Sequence, residues 1–168
     1  SGEVTYKGRV AYVPQQAWLR NATIKDNILF GEPLDEPRYQ RVLKICELVD
    51  DIAMLPGGDQ TVVGERGINL SGGQKQRVSI ARAIYSNADI YIIDDCLSAL
   101  DAYVGRKIYE NVLKGELKNK TIIFITHALH YVTEADRVAV MKNGRIVEID
   151  APSALQANPN SEYNRLTV

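Results

Sequence analysis

The amino-acid sequence predicts an α/β fold with a mostly parallel sheet and a small antiparallel hairpin near its carboxyl end. Residues 90–93 and 121–126 are continuous apolar runs of the kind found in strands that are buried on both faces. Between these runs, Val104, Ile108 and Val112 recur every four residues, as they do on one face of a helix. A strand, a helix and a second strand at this spacing predict a right-handed crossover between parallel neighbours.

Length and composition are those of one globular domain spanning residues 1–168, since 45% of the residues are hydrophobic and 24% charged. The net charge of -1 gives no attraction to nucleic acid, so we expect no nucleic-acid partner. Cys46 and Cys96 have neither the spacing of a metal site nor the density of a disulfide scaffold, which favours a reducing cytosolic setting. The apolar runs are far shorter than the ~18 residues of a membrane span, so we expect the chain itself to be soluble.

The first predicted elements are a short strand and an amphipathic helix. Residues 10–13 form an apolar run that ends at Pro14, which cannot donate a hydrogen bond to a sheet, and Gln15 then opens a loop. A helix is predicted to start at Asp35, with a proline near its first position. Its apolar face recurs at helical spacing and comprises Tyr39, Val42, Leu43, Cys46 and Val49.

A turn-rich segment and a second helix come next. Residues 55–67 are rich in turn residues, and we interpret them as a loop. Ser71 is followed three residues later by Gln74, which is the pattern of a capping box at a helix start. The apolar face of this helix comprises Val78, Ala81, Ile84 and Tyr85.

The carboxyl end is predicted to carry the hairpin. Residues 138–141 and 145–148 flank Asn143 and Gly144, a pair that favours a tight turn because both turn positions need positive φ. We expect residues 151–168 to form a surface helix and a tail.

The sharpest feature of the sequence is Leu-Ser-Gly-Gly-Gln at residues 70–74. A helix start with two glycines exposes several backbone N–H groups, lets an anion approach closely and points the positive end of the helix dipole at it. Ser71 and Gln74 add polar side chains. The pattern favours a phosphate-binding turn, although a well-capped helix that binds nothing is the alternative for Ser-Gly-Gly alone.

Residues 70–74, with the sequence that continues to Ala83, resemble the signature motif of the ABC ATPases. Four other motifs of that family occur in the family's order around it. Residues 12–15 resemble the glutamine loop, residues 90–94 the Walker B strand, residues 98–101 the D-loop, and His127 the switch histidine. The resemblance implies a P-loop NTPase-like fold with a helical signature subdomain at about residues 32–87, and ATP and Mg²⁺ as cofactors.

The resemblance also assigns roles to single residues. Asp94 follows an apolar strand, so its carboxylate can reach the carboxyl edge of a parallel sheet and bind Mg²⁺ there. Gln15 is expected to sense the γ-phosphate and Mg²⁺, and His127 to contact the phosphate. Taken alone, Asp94 and His127 would more often be helix caps and Gln15 a loop residue; the five motifs together favour the catalytic roles.

Asp95 departs from the family, which usually has glutamate as the base that polarises the attacking water. Aspartate is one methylene shorter, so its oxygens fall more than ~1 Å short of hydrogen-bond reach, and we expect weak hydrolysis. With residues 15–18, 27–31 and 102–105, Asp95 resembles the first nucleotide-binding domain of the C-type, multidrug-resistance-associated exporters, whose first site is degenerate. Cys96, where many relatives have proline, is a smaller departure that bears on the shape of the turn.

The sequence contains no Gly-x-x-x-x-Gly-Lys-Ser/Thr, the phosphate-binding loop called Walker A. In the family that loop precedes the position of Ser1, which is not a methionine, so we expect an N-terminally truncated domain. The aromatic residue that stacks on adenine is expected upstream as well. The 168 residues alone are therefore expected to bind ATP weakly or not at all, and to be inactive.

The resemblance implies a second nucleotide-binding domain as partner, in a head-to-tail pair. Gln15, Asp94, Asp95 and His127 would serve the chain's own site. The partner's ATP would be contacted in trans by Ser71, Gly72, Gly73 and Gln74, next to the D-loop residues Ser98 and Asp101. Residues 22–31 resemble the segment that packs under the coupling helices of exporters, which implies transmembrane domains as further partners and a place at the cytoplasmic face of a membrane.

Two other functions compete with that of an exporter motor. A truncated module that docks on a partner motor without hydrolysing ATP is the main alternative. A DNA-repair or chromosome-organising ATPase is disfavoured because the sequence has no long heptad arms or basic stretches.

Overall fold

The structure, a computed structural model, describes residues 2–65 and 67–166. The chain divides into two compact units, the first ending at Ile125 and the second starting at Thr126. In chain order the first unit contains β1 (Val10–Val13), β2 (Ala22–Thr23), α1 (Ile24–Leu29), α2 (Glu36–Ile45), α3 (Val49–Met54), β3 (Val62–Val63), α4 (Gly72–Tyr85), β4 (Ile90–Asp94), α5 (Ala102–Ile108) and β5 (Thr121–Ile125).

The main sheet has the strand order β1-β4-β5, and both pairs are parallel. Val13 lies opposite Ile93, and Asp94 lies opposite Ile125, so the carboxyl ends of all three strands reach one edge. The helical path from β4 to β5 runs through α5 and continues as π-helical turns over Tyr109–Glu116. The predicted parallel α/β arrangement is confirmed. The expectation that the strands are buried on both faces is wrong for β5, where Ile123 and Ile125 are 52% and 45% exposed.

The core lies between this sheet and α4, which contacts β1 and α1. Alternate strand residues Val13, Tyr91 and Ile93 are buried, and so are most residues of α4 after its first turn. Three of the four residues predicted for the apolar face of α4, Val78, Ala81 and Tyr85, are 0–1% exposed. The helical period of the sequence therefore identified the inner face of α4.

The predicted extent of α2 was too long. Asp35 caps the helix by accepting a hydrogen bond from the Arg38 N–H at 3.2 Å, as its position suggested. The helix ends at Ile45, because Glu47 has a left-handed backbone with φ 54°. Val49 starts α3 instead and is 48% exposed, so it does not extend the apolar face of α2.

The loop predicted at residues 55–67 contains regular structure. A 3-10 turn covers Gly58–Gln60, and β3 pairs antiparallel with β2, with Thr23 opposite Val62. A strand of two residues is too short to show a period, and its partner is some 40 positions away in the sequence, so the composition of the segment suggested only a loop. Arg66 of this segment lies outside the described residues.

The second unit contains α6 (Leu129–Val132), β6 (Val138–Lys142), β7 (Arg145–Asp150), α7 (Pro152–Ala157) and α8 (Glu162–Leu166). β6 and β7 form the predicted antiparallel hairpin, and Asn143 and Gly144 at its turn have φ 51° and 73°. The predicted surface helix is two short helices, which bury Leu155 and Tyr163 against Val140 of β6.

Ser1, where a truncated start was expected, and the last two residues of the expected tail lie outside the described residues. None of the helices in residues 2–65 and 67–166 is both long and apolar enough to cross a membrane.

Candidate functional site

Four polar residues meet at the carboxyl ends of β1 and β4: Tyr12, Gln15, Asp94 and Asp95, called the strand-end cluster below. The Gln15 Nε2 donates a hydrogen bond to Asp95 Oδ2 at 3.3 Å. These two residues are 80 positions apart and were predicted from separate motifs. Because parallel strands end at the same edge of a sheet, the fold brings them into contact.

Asp94 is the last residue of β4, and its carboxylate is partly exposed. The Tyr12 hydroxyl donates to Asp94 Oδ2 at 3.1 Å. This hydrogen bond, followed by desolvation and the negative charge of Asp94, raises the pKa of the Tyr12 phenol. Tyr12 lies in the predicted glutamine loop but was not predicted as a site residue. Its position two residues before the strand-ending proline, on the sheet face opposite Val13, could have indicated that it belongs to the site.

Asp95 is held mainly by its backbone. Its φ of 44° is left-handed, its N–H donates to the Ile125 carbonyl at 2.8 Å, and its carbonyl accepts the Ser98 hydroxyl at 2.7 Å. The residue is 8% exposed, so the carboxylate that accepts from Gln15 is largely shielded from solvent. A short acid in this conformation has little freedom to move its oxygens outward.

The predicted D-loop residues act within the chain. Ser98 bonds the Asp95 carbonyl, and Asp101 caps α5 by accepting the N–H groups of Tyr103 and Val104 at 3.1 and 3.0 Å. A Cβ on Gly73 would lie 3.5 Å from the Ala99 carbonyl oxygen, which is ordinary contact distance. The D-loop therefore lies against the start of α4.

Residues 71–74, the signature turn, form the predicted capping box. Ser71 Oγ accepts the Gln74 N–H at 3.1 Å, and Gln74 Oε1 accepts the Ser71 N–H at 2.9 Å. Ser71 is exposed, and a Cβ on Gly72 would meet no described atom within 4 Å. An anion can therefore approach the first N–H groups of α4 from that side.

A charged network that the sequence did not predict supports the signature turn from behind. The Arg77 guanidinium donates to the Asp51 carboxylate and to the Glu47 carbonyl, and Gln74 Nε2 donates to Asp51 Oδ1 at 2.7 Å. Glu47 also forms an ion pair with Lys107 of α5 at 3.1 Å. We call Glu47, Asp51 and Arg77 the Arg77 network. Arg77 is 26 positions from Asp51 and 30 positions from Glu47, so no local pattern reveals the network.

Burial of charge in this network is balanced by hydrogen bonding. The side chain of Arg77 is 13% exposed and that of Asp51 is 25% exposed. Desolvation raises the pKa of the Asp51 carboxyl, but the hydrogen bonds from Arg77 and Gln74 outweigh it, and the pKa is lowered. Asp51 is therefore held as a carboxylate at neutral pH.

Gln76 is another residue that the sequence analysis missed. It is 1% exposed, and its Nε2 donates to the Pro14 carbonyl at 3.2 Å, which fixes the start of the glutamine loop to α4. A polar residue four positions before Ile80, on the inner face of α4, was the available signal. Cys96 is fully buried, and this burial raises the pKa of its thiol to about 12, so the thiolate form is suppressed.

His127 belongs to the second unit, where it is exposed between the end of β5 and α6. Its predicted contact with phosphate stays a prediction. Within residues 2–65 and 67–166 no three His, Cys, Asp or Glu side chains form a group that could hold a metal ion. Mg²⁺ usually takes one or two protein carboxylates and completes its shell with phosphate and water, and the oxygen donors of Asp94 and Gln15 fit that use.

Comparison with known proteins decides the family. The family model described as ABC transporter matches residues 2–98, more than half of the chain and the whole strand-end cluster and signature turn. The chain belongs to the ABC transporter family. Such domains in general bind a nucleotide together with a divalent metal.

Relatives in the C subfamily of ABC transporters are the most informative. The chain is 56% identical over 158 residues to the human ATP-binding cassette sub-family C member 2, which covers 93% of the chain. It is 61% identical over 150 residues to ABC transporter C family member 8 of Dictyostelium discoideum, and 57% identical over 165 residues to C family member 3 of the same organism, covering 88% and 98% of the chain. The predicted resemblance to C-type ABC transporters is confirmed.

The chain spans about a tenth of the length of these relatives: 10%, 9% and 12% respectively. It corresponds to an ATP-binding domain of a C-family ABC transporter. The α/β fold with its parallel sheet, signature helix and carboxyl-terminal hairpin agrees with membership of this P-loop NTPase group.

Proposed function

We propose that the chain is the ATP-binding and ATP-hydrolysing motor domain of a transmembrane exporter, and that it couples ATP binding and hydrolysis to transport. The observation that carries this proposal is the strand-end cluster, in which Gln15 contacts Asp95 at 3.3 Å beside Asp94. An amide and two carboxylates at the carboxyl edge of a parallel sheet provide the donors that a nucleotide with Mg²⁺ requires.

Asp94 and Gln15 would bind Mg²⁺ through oxygen atoms, and the ion would neutralise charge on the β- and γ-phosphates. Asp94 is suited to this role because its carboxylate is partly exposed at the end of β4. The Tyr12 hydroxyl orients the carboxylate from the other side of the strand end. His127 is proposed to contact the γ-phosphate.

Hydrolysis at this site is proposed to be weak. Asp95 would orient the attacking water, but its side chain is short, 8% exposed and bonded to Gln15. Its backbone is fixed by hydrogen bonds to Ile125 and Ser98, so the carboxylate cannot move outward to replace the missing methylene.

Ser71, Gly72, Gly73 and Gln74 are proposed to act in trans, on ATP held by a second nucleotide-binding domain in a head-to-tail pair. The open approach to Gly72 and the exposed Ser71 hydroxyl support this arrangement. Ser98 and Asp101 would shape the D-loop beside the signature turn. Their hydrogen bonds within the chain are consistent with a shaping role.

Transmembrane domains are proposed to contact the surface around residues 22–31, at the cytoplasmic face of the membrane. Trp18 and Phe30 pack edge to face there with ring centres 5.6 Å apart, and they are 49% and 43% exposed. Arg82 of α4 donates to the Trp18 and Asn27 carbonyls and lies over both rings. A pair of exposed aromatic residues anchored to the signature helix suits a surface that transmits movement to α4.

The 168 residues by themselves are proposed to bind ATP weakly or not at all, because their sequence lacks the phosphate-binding loop. The second candidate function is a module that docks on a partner motor and hydrolyses nothing. Titration calorimetry of the chain distinguishes weak from tight ATP binding. Submillimolar ATP binding that Asp94→Ala abolishes would contradict the proposal that the 168 residues bind ATP weakly or not at all.

Labelling of each nucleotide site in the complete transporter tests the proposal. A photoreactive ATP analogue is crosslinked, and labelling of this domain and of its partner is measured separately after proteolysis. Asp94→Asn is expected to reduce labelling of this domain's own site, and Ser71→Ala that of the partner domain. Asp50→Asn, an exposed change on α3, serves as the control. If both variants lose labelling at the same nucleotide site, the trans arrangement is contradicted.

A further inference from the structure

Both ends of the Gln74 side-chain amide are engaged inside the chain. Oε1 accepts the Ser71 N–H at 2.9 Å, and Nε2 donates to Asp51 Oδ1 at 2.7 Å. Ser71 Oγ accepts the Gln74 N–H, which leaves the hydroxyl hydrogen of Ser71 to be donated outward. The two side chains of the signature turn therefore differ: the hydroxyl hydrogen of Ser71 is available to a ligand, whereas the oxygen and the nitrogen of the Gln74 amide each already form a hydrogen bond within the chain.

Asp51 is the residue that sets the orientation of Gln74. An amide can turn end for end with little change in shape, and only its hydrogen bonds decide which end is the acceptor. The Asp51 carboxylate accepts only, so it selects Nε2 and turns Oε1 towards the Ser71 N–H. Arg77, which also donates to the Glu47 carbonyl, holds the second oxygen of Asp51.

We propose that Asp51 is a positioning residue for the signature turn: it fixes Gln74 in the capping box, so that Ser71 and the first N–H groups of α4 are presented to the nucleotide. Gln74 then acts as a brace between Asp51 and the backbone of the signature turn. The inference rests on the proposed action of this turn on ATP. Asp51 lies on α3, 20 residues before Ser71, outside all five motifs of the sequence.

Two substitutions separate positioning from general stability. Asp51→Asn keeps an oxygen acceptor for Gln74 but removes the charge that faces Arg77. Asp51→Ala removes both. Positioning predicts a rise of roughly tenfold in the KM for ATP of the complete transporter for Asp51→Ala, with a smaller change in kcat, and substantial rescue by Asp51→Asn. Asp50→Asn, the exposed neighbour with the same charge, is expected to leave KM unchanged.

A double-mutant cycle gives the decisive readout. If Asp51 acts through Gln74, adding Asp51→Ala to Gln74→Ala causes little further rise in KM, whereas two independent effects would multiply. Multiplying effects, or equal effects of Asp51→Asn and Asp51→Ala, would overturn the proposal. If the Asp51→Ala protein fails to fold, Asp51→Asn can still be compared with Asp50→Asn. The two proteins are expected to have equal KM values for ATP, and the backbone amides of the signature turn are expected to keep their protection from hydrogen exchange. Loss of that protection in Asp51→Asn, with the stability of the rest of the chain unchanged, would also contradict it.

Ser71→Ala identifies which statement fails. If Ser71→Ala leaves the ATP dependence unchanged, the trans action of the signature turn is wrong and the inference falls with it. If Ser71→Ala raises KM and Asp51→Ala does not, the proposed function stands and only the role of Asp51 is overturned.

Discussion

The signature turn and the strand-end cluster both present polar groups at the end of a regular element, yet they are held in different ways. Ser71 and Gln74 are tied by reciprocal hydrogen bonds and supported from behind by the Arg77 network. The strand-end cluster has two single contacts, from Tyr12 to Asp94 and from Gln15 to Asp95, at 3.1 and 3.3 Å. The turn is preorganised by the chain itself, whereas the cluster is an incomplete set of ligands that a bound ion and phosphate would complete.

The largest effect is expected where the support of the signature turn is removed. Arg77→Met keeps most of the side-chain volume but leaves the partly buried Asp51 carboxylate without its cationic partner and the Glu47 carbonyl without the Arg77 donor. We expect a loss of about 3 kcal/mol in the free energy of unfolding, measured by urea denaturation. Arg106→Met removes an exposed ion pair between Arg106 of α5 and Glu110 in the π-helical turns that follow, and it is expected to cost less than about 0.5 kcal/mol. Equal losses would show that the network contributes no more than a surface ion pair.

The next effect tests the strand-end cluster. Asp95→Glu is expected to raise the steady-state ATPase rate of the complete transporter by about tenfold or more, because the longer side chain reaches the attacking water. The same change in an Asp94→Asn background is expected to have no effect, since the nucleotide site is then impaired. An unchanged rate in the single variant would show that the missing methylene does not limit hydrolysis.

The pH dependence of stability tests the charge of Asp51 in the Arg77 network. The pKa of Asp51 is lowered in the folded state, so its stabilisation is fully present above the unfolded pKa of about 3.9 and is lost as the pH falls through the lower folded value. We therefore expect Asp51→Asn to be less stable than the wild type at pH 7 by about 1–3 kcal/mol, with the two curves converging below pH about 4. A stability difference between wild type and Asp51→Asn that stays constant down to pH about 3 would contradict a lowered pKa for Asp51.

The smallest effect is expected at Tyr12. Its hydroxyl is exposed, so Tyr12→Phe is expected to change the stability by no more than the error of an unfolding measurement. The ultraviolet difference spectrum between wild type and Tyr12→Phe isolates one of the nine tyrosines, and its titration midpoint should lie above 10. In Asp94→Asn that midpoint should fall towards the ordinary value. A midpoint that is the same with and without Asp94 would rule out the hydrogen bond.

Features with a local signal were predictable from the sequence. The strands β4 and β5, the start of α4 and the hairpin turn at Asn143 each follow from a period or a residue type within ten positions. The contact between Gln15 and Asp95 could also be predicted, because two parallel strands that end in polar residues must present them at one edge of the sheet.

Features that depend on distant partners were not predictable. The early end of α2 depends on the left-handed Glu47, whose carbonyl accepts from Arg77 thirty positions later. The bond between Asp51 and Gln74 joins two helices, and β3 exists only because β2 pairs with it. In each case a tertiary contact decides a local conformation, which no single stretch of sequence encodes.

Glu47 contacts the two helices that follow the signature turn and the D-loop. Its carbonyl accepts from the helix that follows the signature turn, and its carboxylate binds Lys107 on the helix that follows the D-loop. Its left-handed backbone directs these two acceptors to different helices. A displacement of α4 therefore strains the contact that Glu47 makes with α5, and we expect α3, α4 and α5 to move together.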